Sequence, residues 1–380
     1  MGILNRRHFT SVLGLGGMSG LAAIPAAIGT ASDAAAQPKR PGKLPPLKVR
    51  IGHQMMGTLS EKQALYLARF GVDGVGAAAT IADPERIYAT VEELKRTRDL
   101  AEKHKLTYDI AECELPTLNV DRQKRPAINL GKSPQRDRDI EDFQTHIRNC
   151  AAAGVPCIKY ALNLLGAMRT APVQGRGDAL YTAWKLSEAP KDLPLTIAGT
   201  VDADTFWERI DYFLERVVPV ASEYKVRIAL HPHDPGVPPS GYRGIQRVLG
   251  TVDGIKRFVT MRENAYHGLN FCQGTMSEML QNPATEIFDV IRWFGQRKKI
   301  FNVHFRNIRG RRDDFYETFP DEGDIDFVEA LRVYREVGYD GLLMPDHAPV
   351  FKDNPNGPNE SFAFDFGFFR GIIQAEAKRS

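Results

Sequence analysis

Four residues of metal-ligand type, His231, Cys272, His304 and Asp346, each stand at the end of a short apolar run. The runs are Arg227 to Leu230, His267 to Phe271, Ile300 to Val303 and Gly341 to Pro345. Imidazole, thiolate and carboxylate can hold a divalent ion together, and three or four protein ligands leave positions open for water or substrate. Singly, each residue has a plain structural reading: a hydrogen-bonded histidine, a small buried hydrophobe for the cysteine, a loop cap for the aspartate. Four at successive run ends are harder to explain that way. If the runs are parallel strands separated by helices, their carboxyl ends converge on the face where an α/β barrel keeps its chemistry.

The segments between the runs have the periodicity such a barrel needs. Phe206, Ile210, Phe213, Leu214 and Val217 share one helical face, with Asp202 or Asp204 available as a cap. Residues 245–263 and 284–298 precede the Cys272 and His304 runs, and Asp324 is the expected cap of a helix carrying Ile325, Val328, Leu331 and Val337 that Gly338 stops. In the first half, Val49 to Ile51 runs towards His53, Ser60 to Arg69 reads as helix, and Val72 to Val75 follows. Pro84 to His104 then leads to Tyr108–Ala111 with Glu112 at its end, and Asp137 to Ala153 leads to Cys157–Ala161 before Asn163. With a closing helix from Phe362 to Ala377, the pattern predicts an α/β fold, a (β/α)₈ TIM barrel over 47–380. Residues 115–135 and 165–200, rich in Pro, Gly, Arg and Lys, each follow a strand and read as insertions over the active face, as lids or as surface loops.

The first 36 residues read as a targeting segment. Arg6 and Arg7 precede a Gly/Ala-rich apolar stretch from Ser11 to Ile28, and Ala34 to Ala36 offers a small-residue cleavage site. A twin-arginine signal over 1–36, a linker over 37–46, the twin-arginine export machinery as a partner, and a periplasmic or secreted location are expected. Removal of Arg6, Arg7 and Asp33 takes the formal charge from +3 to +2, too near neutrality for a nucleic-acid surface. The four cysteines are weak grounds for disulfides in a chain long enough to hold itself with an apolar core. Large barrel enzymes often self-associate, so the oligomeric state stays open.

The segments Ala229–Pro235, Asn270–Gly274, Val303–Asn307 and Pro345–His347 resemble blocks of the mannonate dehydratases, as do Tyr160–Thr170 and Asp314–Thr318. The resemblance runs in order along nearly the whole mature chain. It implies a metal-dependent barrel lyase that dehydrates D-mannonate to 2-dehydro-3-deoxy-D-gluconate, with His231, Cys272, His304 and Asp346 as ligands. Cysteine softness favours Zn²⁺, whereas a chelating hydroxy acid favours Mn²⁺ or Mg²⁺. Mn²⁺ is the expected ion, with Fe²⁺, Mg²⁺ and Zn²⁺ as alternatives. His347 is the first candidate acid/base, with support of Asp346 as its structural alternative. Arg306, Asn307, Asn163 and Arg169 are candidates for holding the carboxylate and hydroxyls of a sugar acid, and a salt bridge to Glu317 is the alternative for Arg306.

Two departures from the family pattern stand out. His233 replaces an acidic residue after His231-Pro232, and is read either as a new acid/base group or as a histidine on the exposed rim. The family also relies on a tyrosine beyond the last metal-binding strand, yet no Tyr follows Tyr339, and Phe362, Phe364 and Phe366 stand there. The alternatives are therefore a metal-dependent isomerase, epimerase or eliminase on another sugar derivative, and an inactive periplasmic sugar-acid binding protein.

Overall fold

The computed structural model describes residues 46–354 and 357–378. The expected signal, and the linker up to residue 45, lie outside the described residues. Among the described residues, eight parallel strands close into a barrel: β1 (Arg50–Thr58), β2 (Gly74–Ala78), β3 (Thr107–Glu112), β4 (Cys157–Tyr160), β5 (Arg227–Leu230), β6 (His267–Cys272), β7 (Ile300–His304) and β8 (Leu342–Met344). The hydrogen-bonded order is β1-β8-β7-β6-β5-β4-β3-β2, closed where Arg50 pairs with Leu342 and Ile51 with Leu343. In that ring β4 stands opposite β8.

A helix follows each strand: α1 (Glu61–Arg69), α2 (Val91–Lys103), α3 (Gln135–Ala153), α4 (Ala203–Tyr224), α5 (Val252–Thr260), α6 (Pro283–Gln296), α7 (Phe327–Glu336) and α8 (Asn359–Ala377). The predicted face of α4 is buried in full, and Asp202 is its cap, accepting from the Thr205 N–H at 2.8 Å. Two starts differ from expectation. α2 begins at Val91, not near Pro84, because Thr90 and Glu93 close a capping box there. Asp326, not Asp324, caps α7 by accepting from Val328 and Glu329, while Asp324 accepts from the Gly310 N–H at 2.8 Å.

Side-chain alternation along the strands decides what enters the barrel. Ile110, Cys157, Ala229, Phe301, Leu342 and Met344 form a small cluster of their own, apart from the larger core between strands and helices. Gly268 leaves room for this layer, since a Cβ there would sit 2.6 Å from the Phe301 ring. Two residues further on, the same alternation brings Glu112, Lys159, His231 and Asp346 to the carboxyl-end mouth. On β7 an irregularity in register between Ile300 and Asn302 lets both Phe301 and Asn302 face inward, the latter 3.8 Å from the Met344 sulfur, so that His304 also points in.

The two insertions are structured. Residues 115–135 contain a 3-10 turn at Val120–Arg122 and a short helix at Ala127–Leu130. In 165–200, Ala183–Lys185 pairs with Asp314–Thr318 of the hairpin after β7. Val173–Gln174 and Ala179–Tyr181 form a second small sheet with Val350–Phe351 after β8. The loop after β4 therefore joins those after β7 and β8 across the active face. All four cysteines carry free thiols.

Candidate metal centre

One ligand atom from each of His231, Cys272, His304 and Asp346 lies within 4.8 Å of every other. Two bonds of about 2.0–2.3 Å to one ion span at most about 4.6 Å, so a single divalent ion fits the group with little movement. The surroundings also aim the ligands. His231 Nδ1 donates to the Pro232 carbonyl at 2.8 Å, leaving Nε2 with its lone pair. His304 Nε2 donates to Gln54 Oε1 at 2.6 Å, leaving Nδ1 without a hydrogen-bond partner and 3.2 Å from Asp346 Oδ1. A bare nitrogen lone pair facing a carboxylate is the arrangement that an intervening cation satisfies. Cys272 Sγ receives Thr275 Oγ1 at 3.1 Å and Thr275 N at 3.4 Å, and stands 3.3 Å from Asp346 Oδ2. Burial lowers His231 to about 4, and the Lys159 charge adds to that, so its imidazole is neutral as a ligand requires.

Beside this quartet lies a buried ionic cluster centred on Arg306, whose side chain is 0 % exposed. Its Nη1 meets Glu317 at 2.6 Å and Glu278 at 2.8 Å, its Nε meets Asp346 at 3.2 Å, and its Nη2 meets Asp234 at 3.3 Å. Arg169 holds both oxygens of Asp234, at 2.6 and 2.8 Å, and also pairs with Glu317. Burial alone would raise Asp234 and Glu317. Arg169 and Arg306 instead hold Asp234 below the usual carboxylate range, and Arg306, His347 and Arg169 hold Glu317 at about 2. Glu278 goes the other way: burial and then the Asp234 charge raise it to about 8, against the pull of Arg306.

His347 occupies the open edge of that cluster, 37 % exposed, with Nδ1 2.9 Å from Glu317 and Nε2 3.8 Å from Asp346. Burial opposes its charged form, but Asp346 and then Glu317 raise it to about 9.

The structure thus brings His347, Arg306 and Arg169 to the quartet, with both arginines already committed to buried acids. The salt bridge from Arg306 to Glu317 is present. The other candidates sit elsewhere. His233 is 1 % exposed, with Nε2 2.7 Å from the Leu162 carbonyl and its ring 5.3 Å from Phe206 on α4, so it is neither on the rim nor in the mouth. Burial drives its pKa well below the ordinary value, with the Arg247 charge adding to this. Asn163 is buried and spends its Oδ1 on the N–H groups of Leu165 and Gly166 and on Arg247, which shapes the turn after β4. Asn307 is likewise occupied, donating to Pro320 and Ile325 carbonyls and accepting from the N–H groups of Ile308 and Ile325. Asn307 therefore has no amide group left for substrate, and the Asn163 amide oxygen is taken as well.

Sequence reasoning missed Gln54, Lys159, Asp234 and Glu278. Gln54 and Lys159 carry the signal of strand alternation, two residues beyond Gly52 and Cys157. Asp234 and Glu278 lie in loops, where no periodicity marks them. In the region of the absent tyrosine, Phe362 and Phe366 pack edge-on to His53 at 4.8 and 5.6 Å, and Phe364 contacts Phe319 at 5.5 Å.

Comparison with known proteins places this geometry among relatives. The family model described as D-mannonate dehydratase (UxuA) matches residues 190–378, which include the whole quartet. The chain is 29% identical over 249 residues to a mannonate dehydratase of Thermotoga maritima, covering 56% of this chain and 68% of that protein. It is 35% identical over 147 residues to the mannonate dehydratase of Endomicrobium trichonymphae, covering 38% of each. Among solved structures, mannonate dehydratase from Streptococcus suis serotype 2 superposes with a TM-score of 0.73 at 21% identity, over 87% of this chain and 95% of that one. D-psicose 3-epimerase from Clostridium cellulolyticum H10 shares the barrel at a TM-score of 0.55 and 13% identity, over 86% of this chain and 99% of that one, a likeness of fold alone. With its family match over the half of the barrel that carries the four candidate ligands, the chain belongs to the mannonate dehydratase family of hydro-lyases.

Proposed function

We propose that this protein is a divalent-metal-dependent dehydratase of a sugar acid, with D-mannonate as substrate and 2-dehydro-3-deoxy-D-gluconate as product. The observation that carries this is the convergence of His231, Cys272, His304 and Asp346, each histidine turned by a carbonyl oxygen so that one nitrogen faces the group. A bound ion supplies Lewis-acid stabilisation of the negative charge that builds on the acid when its α-proton leaves. The reaction removes the C2 proton and the C3 hydroxyl as water, and the resulting enol becomes the 2-keto product.

His347 is the group for proton transfer. Its Nδ1 is fixed by Glu317, which leaves Nε2 on the open side of the site. Arg306 and Arg169 act through the acids they hold: Arg306 positions Asp346 and Glu317, and Arg169 positions Asp234 and Glu317. The phenylalanines of α8 offer no proton, so acid and base must both come from the barrel mouth.

Mn²⁺ is the ion proposed, on the grounds that oxygen atoms of a chelating sugar acid would complete the coordination. Arg6, Arg7 and the apolar stretch after them support export by the twin-arginine route and work outside the cytoplasm. The test is to purify the protein with its native metal, measure the metal content, and incubate it with D-mannonate. A 2-keto-3-deoxy acid lighter than the substrate by one water is expected. An isobaric product would establish an isomerase instead, and retained metal without turnover of any aldonic acid would remove the dehydratase assignment.

A further inference from the structure

Arg169 and Arg306 are each enclosed by two or more buried carboxylates. Neither arginine is therefore free to pair with an anionic substrate. A cavity of about 190 Å³ opens in the barrel mouth on the side of β1, β3 and β4. It meets the quartet through Gln54, which lines it and hydrogen-bonds His304. Lys159 is the one cation lining it among the described residues, at the end of β4 and so across the barrel from Asp346 and His347 just after β8.

The neighbour of Lys159 is Glu112, its register partner on β3. Their closest approach is 3.7 Å, and Glu112 Oε1 makes no hydrogen bond, so the ammonium keeps donors free for the cavity. Burial raises the Glu112 carboxyl, which weakens its hold on the lysine further. Lys159 is 12 % exposed, so its charge acts in partly desolvated surroundings.

We propose that Lys159 is a catalytic-site residue that binds the substrate carboxylate, so that a sugar acid lies across the mouth between Lys159 and His347. This rests on the reading of the substrate as a sugar acid. It makes the β3–β4 side of the mouth the determinant of acid over neutral sugar.

Calorimetric titration of the metal-loaded protein with D-mannonate and with the neutral polyol D-mannitol tests it. K159M should weaken D-mannonate binding roughly 10- to 100-fold, the range for a lost charged hydrogen bond, and leave D-mannitol binding unchanged. K159R should recover part of the loss with metal content at the wild-type level. The double variant E112Q/K159M, which restores neutrality, should bind D-mannonate as weakly as K159M. Wild-type affinity in the double variant would show that Lys159 only neutralises Glu112, and an equal loss for D-mannitol would show that the pocket had simply collapsed; either overturns the proposal. Wild-type protein that binds D-mannonate without turning it over removes the dehydratase reading while leaving Lys159 fully tested, whereas wild-type protein that binds no sugar acid overturns both.

Discussion

Gln54 on β1 accepts the Nε2 hydrogen of His304 on β7 at 2.6 Å and thereby decides which nitrogen of that ligand faces Asp346. The strands are not neighbours in the ring, since β8 lies between them. Loss of such an orienting partner costs roughly 10- to 100-fold in metal affinity. Gln54→Leu is expected to weaken metal binding by that factor, measured by competition with a chromophoric chelator, while its circular dichroism spectrum stays that of the wild type.

Metal removal should be visible in stability as well as in activity. An ion that binds only the folded chain adds about 2.7 kcal/mol at a free concentration of 100 Kd. Chelator-stripped protein is therefore expected to melt several degrees below the Mn²⁺-loaded form, and His231→Ala or Asp346→Ala should erase the difference. A Tm insensitive to Mn²⁺, Mg²⁺, Fe²⁺ and Zn²⁺ in the wild type would sink the metal centre.

The cluster around Arg306 makes opposite predictions for its cation and for one of its acids. Arg306→Met strands buried carboxylates, and removing one partner of a buried ion pair costs about 3–5 kcal/mol. Glu278→Gln removes an acid that burial already raises to about 8, so it should be far better tolerated near neutral pH. Urea denaturation of the two variants side by side measures the contrast, and equal destabilisation would contradict this account of the cluster.

His233 should matter for stability and not for chemistry. Its ring packs on Phe206 and its Nε2 binds the Leu162 carbonyl, both away from the mouth. His233→Ala is expected to lose roughly 2–4 kcal/mol from the cavity and the stranded carbonyl, with kcat for D-mannonate within about threefold of wild type at a temperature where the variant is folded. A kcat loss of several orders of magnitude in a stable His233 variant would restore the acid/base reading.

Acid sensitivity should be traceable to Glu93. Its carboxylate is 3 % exposed, and the Arg86 guanidinium, against the effect of burial, holds it at about 2 where 4.5 is ordinary. The folded pKa is depressed, so the contribution is complete above pH 4.5 and fades as pH falls towards 2. Its size is on the order of 2 kcal/mol. Glu93→Gln should be less stable at pH 7 by that order, with the gap to wild type closing below pH 4.5 in pH-resolved melting curves.

Much of this was legible in the sequence because a barrel writes itself in two periods. The face of α4 from Phe206 to Val217 and the four run ends repeat at helix and strand spacing, so those elements and the convergence of the four run-end residues could be read directly. Asp324 and Asp326 are equally good caps on paper, and the structure separates them by giving the helix N–H groups to Asp326 and the Gly310 N–H to Asp324. Asn163, Asn307 and His233 sit in blocks that a functional site also uses, yet their polar groups serve the backbone of the turns they occupy. That role depends on which carbonyl a loop brings near, which one-dimensional spacing does not carry. The same holds for the strands of two or three residues in 165–200, too short for alternation to show. Lys159 could have been found by extending the alternation one step past Cys157.

Closure of the ring by pairing of β1 with β8 has a consequence for the order of events during synthesis. The four quartet residues leave the ribosome in the order His231, Cys272, His304, Asp346, while Gln54, which turns His304, emerges long before any of them. A nascent chain released short of Met344 has an open sheet, no fourth ligand and nothing to hold its first strand beside its last. The complete quartet is thus assembled only once translation has run almost to the end of the barrel.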